Sequence, residues 1–364
     1  MRKCILKRPA LLAGILLPAA VAAAPAALAE PAVTIFGLLD VGLVRESGGA
    51  AGSVAKVSSS ISNGSRLGVK GVEDLGHGWS ALFMLESGLQ LDTGALGQGG
   101  VLFGRQSWIG LRGPIGILSV GRQYTSHFDT LLLADPFSSG LAGDAKNVMP
   151  STGDAATRIT NGVRFATERY RGFNAELMFA PGEVAGSSKA GRQFGGALGY
   201  AAGPLNVRLG YHYRNNDTAG SQAASARNAL LAATWNFGAV KAHLGYGVDK
   251  GPNSATLRHP GNPYGYAQAP QGSLDSTDLL LGLSATAGRH TFLASWLRKD
   301  DRTAPDQDAR QTALGYRYAL SRRTDTYLTW GHIDNRNGAG YAVGGAIEAG
   351  SGNRALGTGI RHQF

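Results

Sequence analysis

The stretch that decides the fold is Asn353–Phe364, which reads NRALGTGIRHQF. Its side chains alternate between two faces, of which one carries Leu356, Thr358, Ile360, His362 and Phe364 and the other Gly357, Gly359, Arg361 and Gln363. A period of two predicts a β-strand, and a mostly apolar face opposite a hydrophilic one is typical of a strand between lipid and water. His362 is a polar ring on the apolar face, and we expect it at the membrane interface because it lies two residues from the end.

The same alternation recurs through the chain after residue 29. In 204–215, for example, leucine, valine and tyrosine occupy alternate positions, with asparagine, arginine and histidine between them. We assign about sixteen such segments, most of roughly 9–13 residues, the length of a tilted membrane-spanning strand. Their approximate spans are 33–45, 64–73, 79–90, 103–113, 117–127, 158–169, 172–181, 192–202, 204–215, 227–237, 239–250, 276–287, 290–300, 309–320, 325–334 and 353–364. Pairing of the last segment with the first would close the sheet and remove both of its edges.

The links between these segments alternate between short and long. The short ones include 74–78, 114–116, 202–203 and 321–324, and the long ones include 46–63, 128–157, 251–275 and 335–352. Short turns on one side and long loops on the other are typical of bacterial outer-membrane proteins. The predicted fold is therefore all-β, a transmembrane antiparallel β-barrel of about sixteen strands with short periplasmic turns and long extracellular loops.

The first 29 residues predict a secretory signal peptide, which leaves 30–364 as the barrel domain. Arg2, Lys3, Lys7 and Arg8 precede an apolar stretch, and Ala27-Leu28-Ala29 fits the small-x-small cleavage rule. The alternative is an N-terminal membrane anchor, against which the shortness of the apolar run argues. Removal of these four cations lowers the formal net charge from +10 to +6 (10 − 4) and removes the only cysteine, Cys4. A catalytic or metal-ligating cysteine is thereby excluded from the mature chain.

Composition and motifs argue against enzymes and nucleic-acid binders. Only 16% of the residues are charged, against roughly 25% in soluble domains, and 54 are glycine. The chain has no phosphate-binding loop of Walker spacing, no HExxH pair and no GxSxG elbow. No lysine- or arginine-rich run of the nucleic-acid type occurs. We therefore expect no reaction, no cofactor, no metal and no nucleic-acid partner, although a Ser/His/Asp set assembled by folding stays open.

Several stretches resemble the general-diffusion porins of Gram-negative β-proteobacteria. They are VTIFGLLD (33–40), SRLGVKGVEDLG (65–76), LESG (85–88), LDTG (91–94), FGRQ (103–106), GRQY (121–124) and GIRHQF (359–364). The resemblance implies a 16-stranded homotrimeric barrel in the outer membrane, a third long loop folded into the pore, and a tendency toward anion selectivity. It also implies that Phe364 is read by the barrel-assembly machinery. In the long loop only Asp135-Pro136-Phe137 keeps the family pattern, which leaves pore size and solute open.

The functional residues of such a channel are those of its pore wall. Because apolar side chains face lipid, strand parity predicts that one set of cations faces the lumen: Arg66, Lys70, Arg158, Arg164, Arg208, Lys241, Arg317 and Arg361. Parity places three acids on the same side: Asp40, Glu86 and Glu176. The inward direction of Arg105 rests on the family resemblance. Arg122 shares parity with Leu118 and Val120, which indicates the rim or a subunit contact.

The constriction loop supplies candidate acids, namely Asp129, Asp135, Asp144 and Asp154. Acids on an inward loop that face a wall of arginine would create a transverse field in a narrow space. We hypothesise that Arg66, Arg105 and Arg158 form the core of that wall; alternatively, these arginines pair with loop acids and hold the loop.

The expected function is passive diffusion of small hydrophilic solutes and ions, with a preference for anions. The expected partners are two further copies of the chain, outer-membrane lipid and the assembly machinery. Two other classes stay open: an adhesin or surface-interaction protein that uses the long loops, and a barrel hydrolase.

Overall fold

The computed structural model describes residues 32–49, 52–150, 157–252, 271–345 and 352–364, so the predicted signal peptide lies outside the described residues. One α-helix is present in this part of the chain, α1 (Ser126–Ala134), with single 3-10 turns at Gln98–Gly100, Ala145–Asn147 and Val343–Gly345. The strands are β1 Ala32–Gly49, β2 Gly52–Ser59, β3 Arg66–Gly76, β4 Trp79–Gly88, β5 Gln106–Gly113, β6 Gly116–Tyr124, β7 Arg158–Thr167, β8 Phe173–Ala180, β9 Gln193–Ala202, β10 Leu205–Arg214, β11 Ala226–Asn236, β12 Val240–Lys250, β13 Asp275–Ala287, β14 His290–Asp301, β15 Ala309–Ala319, β16 Thr324–Asn335 and β17 Arg354–Gln363.

The sheet closes on itself where β17 pairs with β1. The antiparallel register runs from Leu38 opposite Gln363 to Ser47 opposite Arg354. Beyond it, Gly37 and Phe364 exchange two backbone hydrogen bonds of 3.1 Å each. From β3 to β17 each strand pairs antiparallel with the next in sequence, so the predicted closed barrel is confirmed. Closure satisfies the backbone groups that a free edge would leave unpaired in lipid.

The second barrel strand is interrupted. Residues 32–38 of β1 pair with β3, whereas residues 41–49 pair with β2. β2 and β3 are therefore two parts of one wall strand, from which 60–65 bends away, and seventeen strands make sixteen positions around the barrel (17 − 1). The prediction of a long loop over 46–63 is wrong, since 52–59 continues the wall. In its serine-rich sequence, GSVAKVSS, exposed and less exposed residues alternate, and Ala55 and Val57 face outward.

The outer face of the barrel carries large exposed aliphatic side chains. Ile35, Leu177 and Leu198 are 68%, 70% and 64% exposed. Such exposure of apolar side chains is unfavourable in water but favourable in the hydrocarbon core of a membrane. Tyr170 and Phe173, beside a short turn, are 71% and 62% exposed, as expected for rings at a membrane interface. No helix in the described ranges is both long and apolar enough to cross a bilayer.

The third long loop lies inside the barrel. Thr125 follows β6 and caps α1, because its hydroxyl accepts the backbone N–H of Phe128 at 3.1 Å. Leu131, Val148 and Met149 of this loop pack in one buried cluster with strand leucines of β11, β13 and β14, namely Leu230, Leu280 and Leu297. Those leucines point inward, against the rule that apolar residues face lipid, because the loop covers them. The loop thereby occupies one side of the lumen and leaves the passage on the other.

Candidate functional site

The tip of the inward loop rests on the bent segment 60–65, which Asp40 organises. The Asp40 carboxylate accepts the backbone N–H groups of Ile61 (3.1 Å), Ser62 (3.0 Å) and Asn63 (2.9 Å). The carbonyl of Ile61 in turn accepts the N–H of Leu141 at the loop tip. Asp40 was predicted to line the pore; it points inward but is fully buried beneath this segment. Its position suits it to fix the loop rather than to meet solutes.

Three arginines meet around Glu86 and Tyr124, and we call this group the arginine cluster: Arg66, Arg105 and Arg158. Arg105 pairs with Glu86 at 2.7 Å and donates to the Tyr124 hydroxyl at 2.6 Å. Arg66 also pairs with Glu86, at 3.4 Å. Arg158 lies over the Tyr124 ring, 4.8 Å from its centroid, and donates to its hydroxyl at 3.3 Å. The structure therefore brings together the three residues of the predicted wall, with one carboxylate among them.

A cavity of about 760 Å³ separates the arginine cluster from the inward loop. Its charged lining comprises the arginine cluster together with Lys56, Lys146, Glu46 and Asp144. Lys56 pairs with Glu46, and Lys146 pairs with Asp144, each at 3.3 Å. Five cations and two acids leave an excess of +3 on the lining (5 − 2), or +2 when Glu86 behind the wall is included. The passage therefore has a positive wall.

A second group of charges braces α1 against the opposite wall. Glu176 accepts from Arg164 at 2.7 Å, lies 2.8 Å from Arg208 and accepts from the Ser126 hydroxyl at 2.9 Å. Arg164 also reaches Asp129 of α1 at 3.1 Å. Burial raises the pKa of the Asp129 carboxyl, and Arg164 opposes that rise. Through these contacts Arg164 links the loop acid Asp129 to Glu176 on the barrel wall.

The other loop acids bind their own loop. Asp135 is buried and accepts the N–H groups of Phe137 (2.9 Å), Ser139 (2.9 Å) and Ala145 (3.1 Å). Burial, and then the nearby charge of Asp144, raise the pKa of Asp135 to about 7, while the three N–H groups oppose the shift. Asp144 accepts the N–H of Lys146 at 2.8 Å. Asp154 lies outside the described residues.

The remaining predicted cations occupy other parts of the lumen and rim. Lys70 and Lys241 are exposed, and the Lys70 ammonium lies 5.5 Å from the centre of the Phe36 ring. Arg361 pairs with Asp325 and donates to Asn63 of the bent segment. Within the described ranges, Nε and one terminal nitrogen of Arg317 are buried without a hydrogen-bond partner. Arg122 donates to the Gly104 carbonyl at 2.7 Å.

One buried charge cluster was not predicted. The Lys299 ammonium lies 3.0 Å from Asp278 and 3.1 Å from the Ser276 hydroxyl, and both charged side chains are fully buried. Asp249 lies beside them and accepts from Asn228 at 2.6 Å. The sequence did contain a signal, because Lys299 lies between two other charged residues, Arg298 and Asp300. Since side chains alternate between the two faces of a strand, either Lys299 or both of its neighbours must point inward. Among the described residues, no three His, Asp or Glu side chains are grouped to hold a metal ion.

Comparisons with known proteins agree on one class. A family model described as Gram-negative porin matches residues 16–338. An outer membrane porin protein of Bordetella pertussis is 31% identical over 381 residues, which cover 94% of this chain and 96% of the relative. Outer membrane porin protein 32 of Delftia acidovorans is 29% identical over 361 residues, which cover 95% and 98%. An anion-selective porin from Comamonas acidovorans has a superposable structure, with a TM-score of 0.76 and 27% identity over 92% of this chain and 100% of that one.

Proposed function

Since this chain belongs to the Gram-negative porin family, we propose that its lumen selects permeating ions by sign and prefers small hydrophilic anions. The chain is an outer-membrane porin, a passive channel rather than an enzyme. The observation that carries the proposal is the positive wall of the 760 Å³ passage, where the arginine cluster faces the loop. The related anion-selective porin supports the same sign.

The charge of this wall acts across a short distance. Salt screens charges over about 8 Å at physiological ionic strength, so an ion in a passage of molecular width stays within reach of the wall. Arg66 and Arg105 share one carboxylate, and Arg158 has no carboxylate partner in the described part of the chain. Each of these arginines attracts a permeating anion electrostatically and repels a permeating cation of equal size.

The pore-wall cations have different proposed roles. The arginine cluster selects ions at the narrow passage, whereas Arg164 and Arg208 act chiefly as braces of α1 through Glu176. Lys70, Lys241, Arg317 and Arg361 raise the local anion concentration elsewhere in the lumen. We base this division on position: the arginine cluster lines the passage, whereas Arg164 and Arg208 form ion pairs with Glu176.

The assembly state belongs to the same proposal. A homotrimer and handling by the barrel-assembly machinery are supported by membership of the porin family. At the seam the Phe364 ring packs against Gly37, where a Cβ would overlap with it. The face of the ring that contacts Gly37 is therefore accessible to the assembly machinery only before the barrel closes. Residues 1–29 would be removed during export.

Reversal potentials in planar bilayers under a salt gradient test the selectivity. The wild-type channel should give a reversal potential of anion sign, and Arg66→Ala/Arg105→Ala should move it toward the cation side. Arg227→Ala is the control, because Arg227 is exposed on the outer face of β11 and lies outside the cavity lining, so the reversal potential should not change. A cation-selective wild-type channel would refute the preference, and an unchanged potential in the double variant would refute the role of the cluster.

A further inference from the structure

We propose that the outer face of β13–β17 binds one lipid of the outer leaflet, with an acyl chain in an apolar groove and a phosphate on Arg310 and Arg354. This site is separate from the lumen and goes beyond solute diffusion. It rests on the shape of the outer wall and on the register of outward-facing side chains.

The groove is a concavity of about 560 Å³ in the outer wall. Leu283, Phe292, Trp330 and Leu356 stand around it, and the small side chain of the outward-facing Ala294 leaves its floor low. The remaining lining is also apolar, except for Tyr316 and Thr329. The volume falls in the range of about 300–1,000 Å³ that binding sites for small molecules occupy.

Outward-facing cations stand directly above the groove on the side of the long loops. The groove row pairs Leu356 with Trp330 and Trp330 with Leu314. Two residues further along each strand, Arg354 pairs with His332. Two residues beyond that row, Arg310 pairs with Arg298 across β15 and β14. At about 3.3 Å per residue, these cations lie roughly 7 and 13 Å above the groove row, where a headgroup follows its acyl chains.

These cations differ in whether they are already paired. Arg298 is held by Asp300 at 2.7 Å and lies 3.9 Å from Asp308. Arg310 stands opposite Asp334 in the register but forms no ion pair with it, and Arg354 has no ion-pair partner in the described ranges. A guanidinium at the edge of the hydrocarbon recognises phosphate oxygens in a bidentate manner. The combination of an acyl-sized groove and two available guanidinium groups fits a phosphorylated lipid.

Two matched positions elsewhere on the outer wall provide controls. Arg227 is an exposed, outward-facing arginine near the same end of β11, opposite Lys250. Ala233 faces outward on β11, as Ala294 does on β14, but it does not line the groove. Substitution at these sites changes charge or bulk on the lipid face without touching the proposed site.

Native mass spectrometry of the detergent-solubilised protein tests the proposal, with lipid A as the probe and dephosphorylated lipid A of the same acyl composition as the comparison. Loss of two charge-assisted contacts in Arg310→Ser/Arg354→Ser should weaken lipid A binding by about tenfold or more. Ala294→Trp should fill the groove and weaken binding of both lipids. Arg227→Ser and Ala233→Trp should bind as the wild type does, and conductance of every variant should be unchanged.

Three results would overturn the site. Equal retention of the phosphorylated and dephosphorylated lipid would exclude the phosphate contact. Equal binding by Ala294→Trp and Ala233→Trp would exclude the groove. A wild-type protein that retains no lipid, together with an Ala294→Trp variant that loses its oligomeric state, would show that a second copy covers this face. Because conductance is recorded separately, a failed selectivity measurement leaves this test unaffected.

Discussion

The phenol of Tyr327 donates a hydrogen bond of 2.7 Å to Oδ1 of Asp40, across the strand that separates them. Tyr327 lies on β16 and Asp40 on β1, and Gly359 of β17 stands between them. A Cβ at Gly359 would overlap with the Tyr327 hydroxyl, so the absence of a side chain makes room for this contact. The bond fixes the carboxylate that holds segment 60–65, and thereby links the barrel seam to the loop tip.

Tyr327→Phe should loosen the loop tip without opening the barrel. Asp40 keeps its three backbone donors but loses the phenol, at a cost of about 1–3 kcal/mol for a bond to a buried charged group. We expect more frequent current fluctuations in single-channel records and a lower thermal midpoint. Tyr318→Phe on the outer face is the control. Identical noise in the two variants would show that the phenol does not stabilise the loop.

Glu176→Gln should both weaken the brace of α1 and make the lumen more positive. It removes the charge that Arg164 and Arg208 share, and breaking a buried ion pair costs about 3–5 kcal/mol. The reversal potential should move toward stronger anion preference, and the thermal midpoint should fall. Glu168→Gln, at a surface carboxylate that is 3.7 Å from Arg112, should change neither. A stable variant with unaltered selectivity would contradict the assigned role of Glu176.

The inward loop should become less stable as pH rises toward neutrality. The pKa of Asp135 is raised from 3.8 to about 7 in the folded state, so the folded loop holds a proton that the unfolded chain releases. Stability is therefore greatest below about pH 4 for this group and falls as pH increases to about 7, by at most about 4 kcal/mol.

Closing events of single channels recorded from pH 5 to pH 8 measure this effect. Their frequency should rise with pH in the wild type and in Asp92→Asn, a control at an exposed acid. Asp135→Asn carries no titrating proton, so its frequency should not depend on pH in this range. A wild-type channel whose closing events are equally frequent at both ends of the range would exclude a neutral Asp135.

Lys299→Met should destabilise the barrel strongly. The change leaves Asp278 and Asp249 buried beside each other without a cation, at a cost of about 3–5 kcal/mol. Lys299→Met/Asp278→Asn should recover part of the loss, because one of the uncompensated charges is removed. Thermal unfolding followed by circular dichroism measures both variants. Lys250→Met, at an exposed pair with Asp275, should cost less than about 1 kcal/mol; a loss as large as that of Lys299→Met would refute the special role of the buried lysine.

The barrel could be predicted from the sequence because a strand between lipid and water carries its orientation in its own alternation. Apolar and polar residues alternate within each strand, independently of the other strands. The lengths of the links then indicate which end of the barrel is periplasmic and which is extracellular. β2 was missed, since its serine and alanine residues give little contrast between faces. Leu230 and Leu297 broke the parity rule because a distant loop, rather than lipid, covers them.

The site was predictable only in part, for a related reason. Parity indicates that Arg66 and Arg158 point inward, but it does not relate one strand to the loop opposite. Arg105 precedes the first residue of β5 and has no parity at all, so only the family resemblance indicated its direction. The division between Glu86, within the arginine cluster, and Glu176, within the brace, depends on distances in three dimensions.

The pairing of β1 with β17 has a consequence for the kinetics of folding. Nearly all other neighbouring strands are consecutive in the sequence. Their contacts therefore form at a low cost in loop-closure entropy. The seam instead joins Leu38 to Gln363, across nearly the whole described sequence. Contacts of such separation are slow to form. Contacts that form early are present in the transition state, so substitutions in the central hairpins should mainly slow refolding, whereas substitutions at the late-forming seam should mainly accelerate unfolding.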